Sequence, residues 1–215
     1  MQTKAVLFDM DGLVFDTEFI MYQAYVSFCQ RKHLHYEFDL FKQLLGLNRL
    51  DGKAVIDMYY AGTMDYDELF TYGAAFRQNY IIEHGLPIKK GFFQLLAYCQ
   101  RQNIKTALVS SSKLSVIESN LKASSLWKTF DLLVSGEQVI HSKPSPEIYN
   151  LALEKLKLQP KEALVLEDSE NGIKAAHNAH IDCICVPDLV NHSAQINALC
   201  VAVVPTLDKV IGYIK

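Results

Sequence analysis

The chain has no basic excess, no membrane-length apolar run and no paired cysteine motif, and each absence removes a class of function. Its 21 Lys and Arg are outnumbered by 24 Asp and Glu, for a formal net charge of −3, and no Lys/Arg block occurs. Nothing here builds the positive field that grips a nucleic acid backbone. The strongest uninterrupted apolar stretch, Leu199 to Val204, is strand-sized and far too short to span a bilayer. The five cysteines are an odd number with no Cys-x-x-Cys pair, and Cys183 and Cys185 alternate along an apparent strand, where packing outranks metal ligation. Met1-Gln2-Thr3-Lys4 leads straight into a strand, so no signal peptide is expected. Internal repeats and low-complexity tracts are missing too. The expectation is a soluble cytoplasmic protein, a monomer with no nucleic acid or membrane partner.

What the chain does have is core. Half of its 215 residues are apolar and 21% are charged, enough for one large domain or one domain carrying a smaller insert. From about Gly91 onward strands and helices alternate. Strands are predicted at Lys105–Val109, Leu132–Val134, Ala163–Leu166, Cys183–Val186 and Val201–Val204, with helical periodicity between them. One helical face reads Leu114, Ile117 and Leu121, and Pro146 reads as the first turn of another helix. This alternation predicts an α/β fold with a Rossmann-like parallel sheet covered on both faces. The stretch from Asp16 to about Pro87 carries helical patterns alone, opening with Thr17 as N-cap and a stripe of Phe19, Tyr22, Val26 and Cys29. It is predicted to be an inserted all-helical cap domain over residues 16–87, with a core of residues 1–15 and 88–215.

The chemistry-bearing residues gather at predicted strand ends. Ala5-Val6-Leu7-Phe8 runs into Asp9 and Asp11 before Gly12; Ser110 follows Val109; Lys143 precedes Pro144; Glu167 and Asp168 follow Leu166. Each alone has an ordinary reading, as a turn, an N-cap or a solvated charge. In a doubly wound sheet, however, all four project into one crevice. Together they supply carboxylates for Mg²⁺, a lysine for phosphate charge, a hydroxyl for a phosphate oxygen and an aspartate nucleophile. Phosphoryl transfer needs mainly positioning and charge neutralisation, which this set provides.

The segments Asp9-Met10-Asp11-Gly12, Ser110-Ser111-Ser112-Lys113, Ser142-Lys143-Pro144-Ser145-Pro146 and Glu167-Asp168-Ser169-Glu170-Asn171-Gly172 resemble the motifs of the haloacid dehalogenase-like superfamily, in order and across nearly the whole chain. The branch resembled is that of the β-phosphoglucomutase-like phosphatases. The resemblance implies that Asp9 is the nucleophile and forms an aspartyl-phosphate, and that Asp11 is the acid/base. Ser110, Ser111 and Lys143 would hold the phosphoryl group. Mg²⁺ would be held by Asp9, Asp168 and the Asp11 backbone carbonyl, with Glu167 acting directly or through water. Gly46-Leu47-Asn48-Arg49 resembles the cap loop whose arginine grips the distal phosphate of a sugar phosphate. One departure stands out: Met21 falls where the mutase has a catalytic histidine, and a thioether cannot shuttle protons.

The resulting expectation is a Mg²⁺-dependent phosphomonoester hydrolase acting on a small phosphorylated metabolite, first among them a sugar phosphate. The alternatives are a β-phosphoglucomutase and a non-catalytic phosphate-binding or regulatory protein on the same scaffold. Retention of both Asp9 and Asp11 weighs against the last, since binding alone needs no acid/base.

Overall fold

A computed structural model describes residues 2–45, 47 and 49–215. Two compact units form, Met1–Asp16 with Pro87–Lys215, and Thr17–Leu86. Among the described residues no helix is long and apolar enough to cross a membrane.

The first unit is built on β1 (Ala5–Phe8), whose four residues are all buried. It continues with α5, named in chain order after the four helices of the second unit described below, at Phe92–Arg101, then β2 (Lys105–Ser110), α6 (Leu114–Ala123) and β3 (Leu132–Ser135). It closes with α7 (Glu147–Leu156), β4 (Ala163–Glu167), α8 (Glu170–Asn178), β5 (Asp182–Cys185), α9 (Ala194–Asn197) and β6 (Ala202–Val203). All six strands are parallel, in the order β3-β2-β1-β4-β5-β6. The order reverses beside β1, between Leu7 partners Ala107 on β2 and Val165 on β4. The carboxyl ends on either side of such a reversal are where open α/β sheets bind ligands.

Both sheet faces are covered, which explains why the strands read as continuous apolar runs. Ala5 and Leu7 face the layer of α7 and α8, where Ile148, Ala152, Ile173 and Ala176 are buried. Phe8 points the other way, as period two requires, and meets Phe92 and Phe130 edge-on at 5.9 and 5.7 Å. On α6 the expected stripe is displaced: Leu114 is 38% exposed, and Asn120, hydrogen-bonded to Met10 Sδ at 3.7 Å, is buried beside Ile117 and Leu121. Pro146 stands just outside α7 with a φ of −74°, already suited to a first turn.

The second unit comprises α1 (Thr17–Arg31), α2 (Phe38–Leu44), α3 (Arg49–Tyr60) and α4 (Tyr66–His84). Its main contact is α1 on α4, made close by Gly73, where a β-carbon would stand 2.7 Å from the Tyr25 ring and 2.8 Å from Met21 Cε. The buried face of α1 runs through Ile20, Ala24, Tyr25, Phe28 and Cys29, not through the predicted Phe19 and Val26, and Phe19 is 44% exposed. Tyr22 belongs to a neighbouring aromatic cluster, 5.1 Å from Phe38 and 5.4 Å from Phe41. So many aromatics support two adjacent helical stripes, and the α1–α4 contact selects between them. Thr17 is the first helical residue and buried, rather than a cap. Asp65 does cap α4, accepting from the backbone N–H of Asp67 at 2.8 Å.

Candidate active site

The backbone aims the first carboxylate. Asp9 N–H donates to Leu166 O at 3.1 Å, extending the β1–β4 ladder one residue past the strand, so Asp9 leaves the sheet at its tip. The chain then turns tightly, with Phe15 N–H donating to Met10 O at 3.0 Å and Gly12 N–H to Phe15 O at 2.9 Å. Gly12 has a φ of +84°, and a β-carbon there would lie 2.2 Å from Asp168 Oδ2. Glycine is required both by that backbone and by the carboxylate pressed against it.

Lys143, on the loop between β3 and α7, is the centre of charge. Its Nζ donates to Asp9 Oδ1 at 2.5 Å, to Glu167 Oε1 at 2.7 Å and to Val109 O at 3.3 Å, and its side chain is 6% exposed. Glu167, at the end of β4, is fully buried. Tyr149 Oη donates to Glu167 Oε1 at 2.8 Å, while Oε2 accepts from the backbone N–H groups of Asp168 and Ser169 and from Ser169 Oγ at 3.1, 3.1 and 2.9 Å. Ser169 also caps α8 by accepting from Gly172 N–H, so Asn171 and Gly172 lie inside the helix. A β-carbon on Gly172 would stand 1.7 Å from Glu167 Oε1, which fixes glycine there as well.

The remaining predicted residues lie as follows. Ser110, 2% exposed at the end of β2, accepts from Ser112 N–H at 3.0 Å, and Ser112 Oγ donates to Asp11 Oδ2 at 3.3 Å. Ser111 is exposed, with its carbonyl packed on Gly136. Asp9, Glu167 and Asp168 each offer an oxygen within 4.8 Å of the others. Arg49 belongs to the second unit, where Nη2 bonds Asp67 Oδ1 at 2.7 Å and the guanidinium lies over Phe70. Gly46 and Asn48 of its loop lie outside the described residues.

Sequence reasoning missed the supporting residues. Tyr149 falls in the helix expected after Pro146, and the need of a buried tyrosine hydroxyl for a partner is a usable signal there. Ser112 and Ser169 were part of the motifs but carried no role. His192, whose Nε2 lies 2.5 Å from the Asp168 carbonyl oxygen, left no sequence signal.

The electrostatics follow from burial. Desolvation pushes the Asp9 carboxyl up to about 7, against the opposing pull of Lys143 and with a further push from Glu167. Burial would lower Lys143, but the two carboxylates outweigh it and hold the ammonium above its ordinary value. Burial would raise Glu167, yet Lys143, Ser169 and Tyr149 keep it below the usual range. Lys143 therefore leaves Asp9, alone of the two carboxylates it bridges, resisting its charge. The donor set at the tips of β1 and β4 is all oxygen, which suits a hard divalent cation such as Mg²⁺ and not a thiolate- or imidazole-seeking metal.

This carries a pH consequence for the metal-free protein. Asp9 titrates near 3.8 unfolded and about 7 folded, so between those values the folded state binds more protons. Its contribution is fully present below about pH 4 and is lost as pH rises through 7. In chelator, the melting temperature is expected to fall between pH 5 and pH 7.5, and Asp9→Asn should flatten that slope; an equal slope in both proteins would refute the assignment.

Comparison with known proteins places this geometry. The model of the haloacid dehalogenase-like hydrolases matches residues 6–186, which span every strand-end residue described above. A phosphorylated carbohydrates phosphatase of Thermotoga maritima is 32% identical over 203 residues, 94% of each chain. Hexitol phosphatase B of Escherichia coli strain K12 is 32% identical over 86% of this chain and 84% of its own. Among solved structures, a Thermotoga maritima protein provisionally named a β-phosphoglucomutase superposes with a TM-score of 0.80 at 29% identity, covering 98% of both chains. Motif order, sheet topology and near full-length similarity agree, and the chain belongs to the haloacid dehalogenase-like hydrolase family.

Proposed function

We propose that this protein is a Mg²⁺-dependent phosphomonoesterase of small phosphorylated carbohydrates that works through an aspartyl-phosphate. The observation carrying the reading is Asp9, a part-buried carboxylate at the tip of the central strand, clamped by Lys143 and adjoining Asp168. Asp9 attacks phosphorus; the P–O bond to the sugar breaks as the Asp9–phosphorus bond forms. Asp11 protonates the departing alkoxide, then takes a proton from the water that cleaves the acyl phosphate. Ser112 orients Asp11 for both tasks. Ser110, Ser111 and Lys143 hold the phosphoryl oxygens. Mg²⁺, held by Asp9 and Asp168, would neutralise charge on the phosphate. Glu167 has both oxygens taken by five protein donors, so its part is to fix Lys143 and to act on the metal through water.

The substrate class is supported by two relatives, one acting on phosphorylated carbohydrates and one named for hexitol phosphates. Arg49 is the cap candidate for a distal substrate charge, which would have to displace Asp67. The mutase alternative is disfavoured by Met21, which packs against Gly73 and offers no proton.

A phosphate-release screen over sugar, hexitol and aryl phosphates tests the reading, run with Mg²⁺ and with excess chelator. Release from phosphorylated carbohydrates that stops on chelation is the expected result. Turnover undiminished in chelator would refute the metal requirement. With β-glucose 1-phosphate and a trace of the 1,6-bisphosphate, glucose 6-phosphate accumulating ahead of phosphate would favour the mutase.

A further inference from the structure

The loop after β5 carries a carboxylate that the proposed reaction does not use. The Asp188 side chain is 6% exposed, and its Oδ1 is ion-paired with Lys89 Nζ, which also reaches Asp16 Oδ1 at 3.9 Å. Its other oxygen, Oδ2, is buried with no hydrogen-bond partner among the described residues. That oxygen faces the turn after β1: a β-carbon on Gly12 would stand 3.3 Å from Asp188 Oδ2 and 2.2 Å from Asp168 Oδ2. Two carboxylates thus share the space over one glycine, and Lys89 engages only the far oxygen of Asp188.

A buried acceptor left without a donor keeps its full desolvation penalty, and a charged one is penalised more. A second carboxylate nearby adds repulsion. A donor arriving from the Asp168 side relieves both. Water bound to a divalent cation is such a donor, since the cation polarises its O–H bonds and carboxylates beyond the first ligands commonly accept from it. We infer that Asp188 is a positioning residue of the metal site, accepting a hydrogen bond through Oδ2 from a water ligand of Mg²⁺ held at Asp168. Lys89 fixes the carboxylate from the opposite side. The inference rests on the Mg²⁺ reading given above.

The test is calorimetric titration of Mg²⁺ into metal-free protein without substrate, accompanied by metal-free melting. Three proteins are compared: the unaltered chain, Asp188→Asn, and Asp188→Asn with Lys89→Met. The double variant removes both members of the Lys89–Asp188 pair and leaves only the partly exposed Asp16 without its lysine, so it keeps the test open if the single variant fails to fold. The unaltered protein is expected to bind Mg²⁺, and the folded variants to bind it about 10- to 100-fold more weakly. A folded variant with unaltered affinity, even one with a lowered melting temperature, would reduce Asp188 to a structural residue and overturn the inference. Absence of Mg²⁺ binding by the unaltered chain would overturn the metal reading itself.

Discussion

Asp9→Asn is expected to cut phosphate release by on the order of 10⁴-fold or more, the scale seen when a nucleophile is removed. An amide oxygen is a poor nucleophile toward phosphorus and cannot form the acyl phosphate. The fold should survive, because the amide is nearly isosteric and its oxygen can still accept from Lys143, which Asp9 engages at 2.5 Å. Burial already opposes charge at this position, raising the carboxyl to about 7. The metal-free variant should therefore melt no lower than the unaltered protein at pH 7.5. Steady-state kinetics and melting on one preparation decide the matter. Turnover within 100-fold of the unaltered enzyme would remove Asp9 from the nucleophile's role.

Lys143→Met should damage stability and turnover together. The ammonium bridges Asp9 and Glu167, the latter fully buried, and methionine supplies similar bulk without charge. Breaking a buried pair by deleting one partner typically costs about 3–5 kcal/mol, because a charge is left uncompensated. The deficit has a sign in pH. With the lysine gone, Asp9 takes up a proton more readily, so the gap to the unaltered protein should narrow as pH falls from 7.5 toward 5. Denaturant melts at the two pH values measure it. A constant gap would mean that Lys143 stabilises through its contact with the Tyr149 ring, over which its Nζ sits at 5.0 Å, rather than through its ion pairs. Phosphate release should also collapse, since the cation that would hold the phosphoryl oxygens is lost.

Much of this arrangement was legible before any coordinates. The six strands appear where apolar runs end in polar residues, to within a residue or two. The inserted segment is helical, as its patterning predicts. The α1 face was misread because Phe19, Tyr22 and Tyr25 populate overlapping stripes, and the choice between them depends on what α4 presents. The expected N-cap at Thr17 slipped by one residue, as helix ends commonly do.

What the sequence by itself determined is whatever depends on neighbours along the chain. Alternating strands and helices, the acid-x-acid-glycine turn after β1 and the polar strand ends are local patterns, and local backbone preference plus burial reads them directly. What only the tertiary structure decided is which side chain meets which. Lys143 reaches Asp9 across 134 positions and Glu167 across 24, and Tyr149 reaches Glu167 across 18. Asp188 meets Lys89 across 99. No periodicity encodes such distances; sheet order and register set them. Burial then fixes the chemistry, since the same Asp9 carboxyl that would be an ordinary acid in water is, in that dry crevice, a charge in need of a cation.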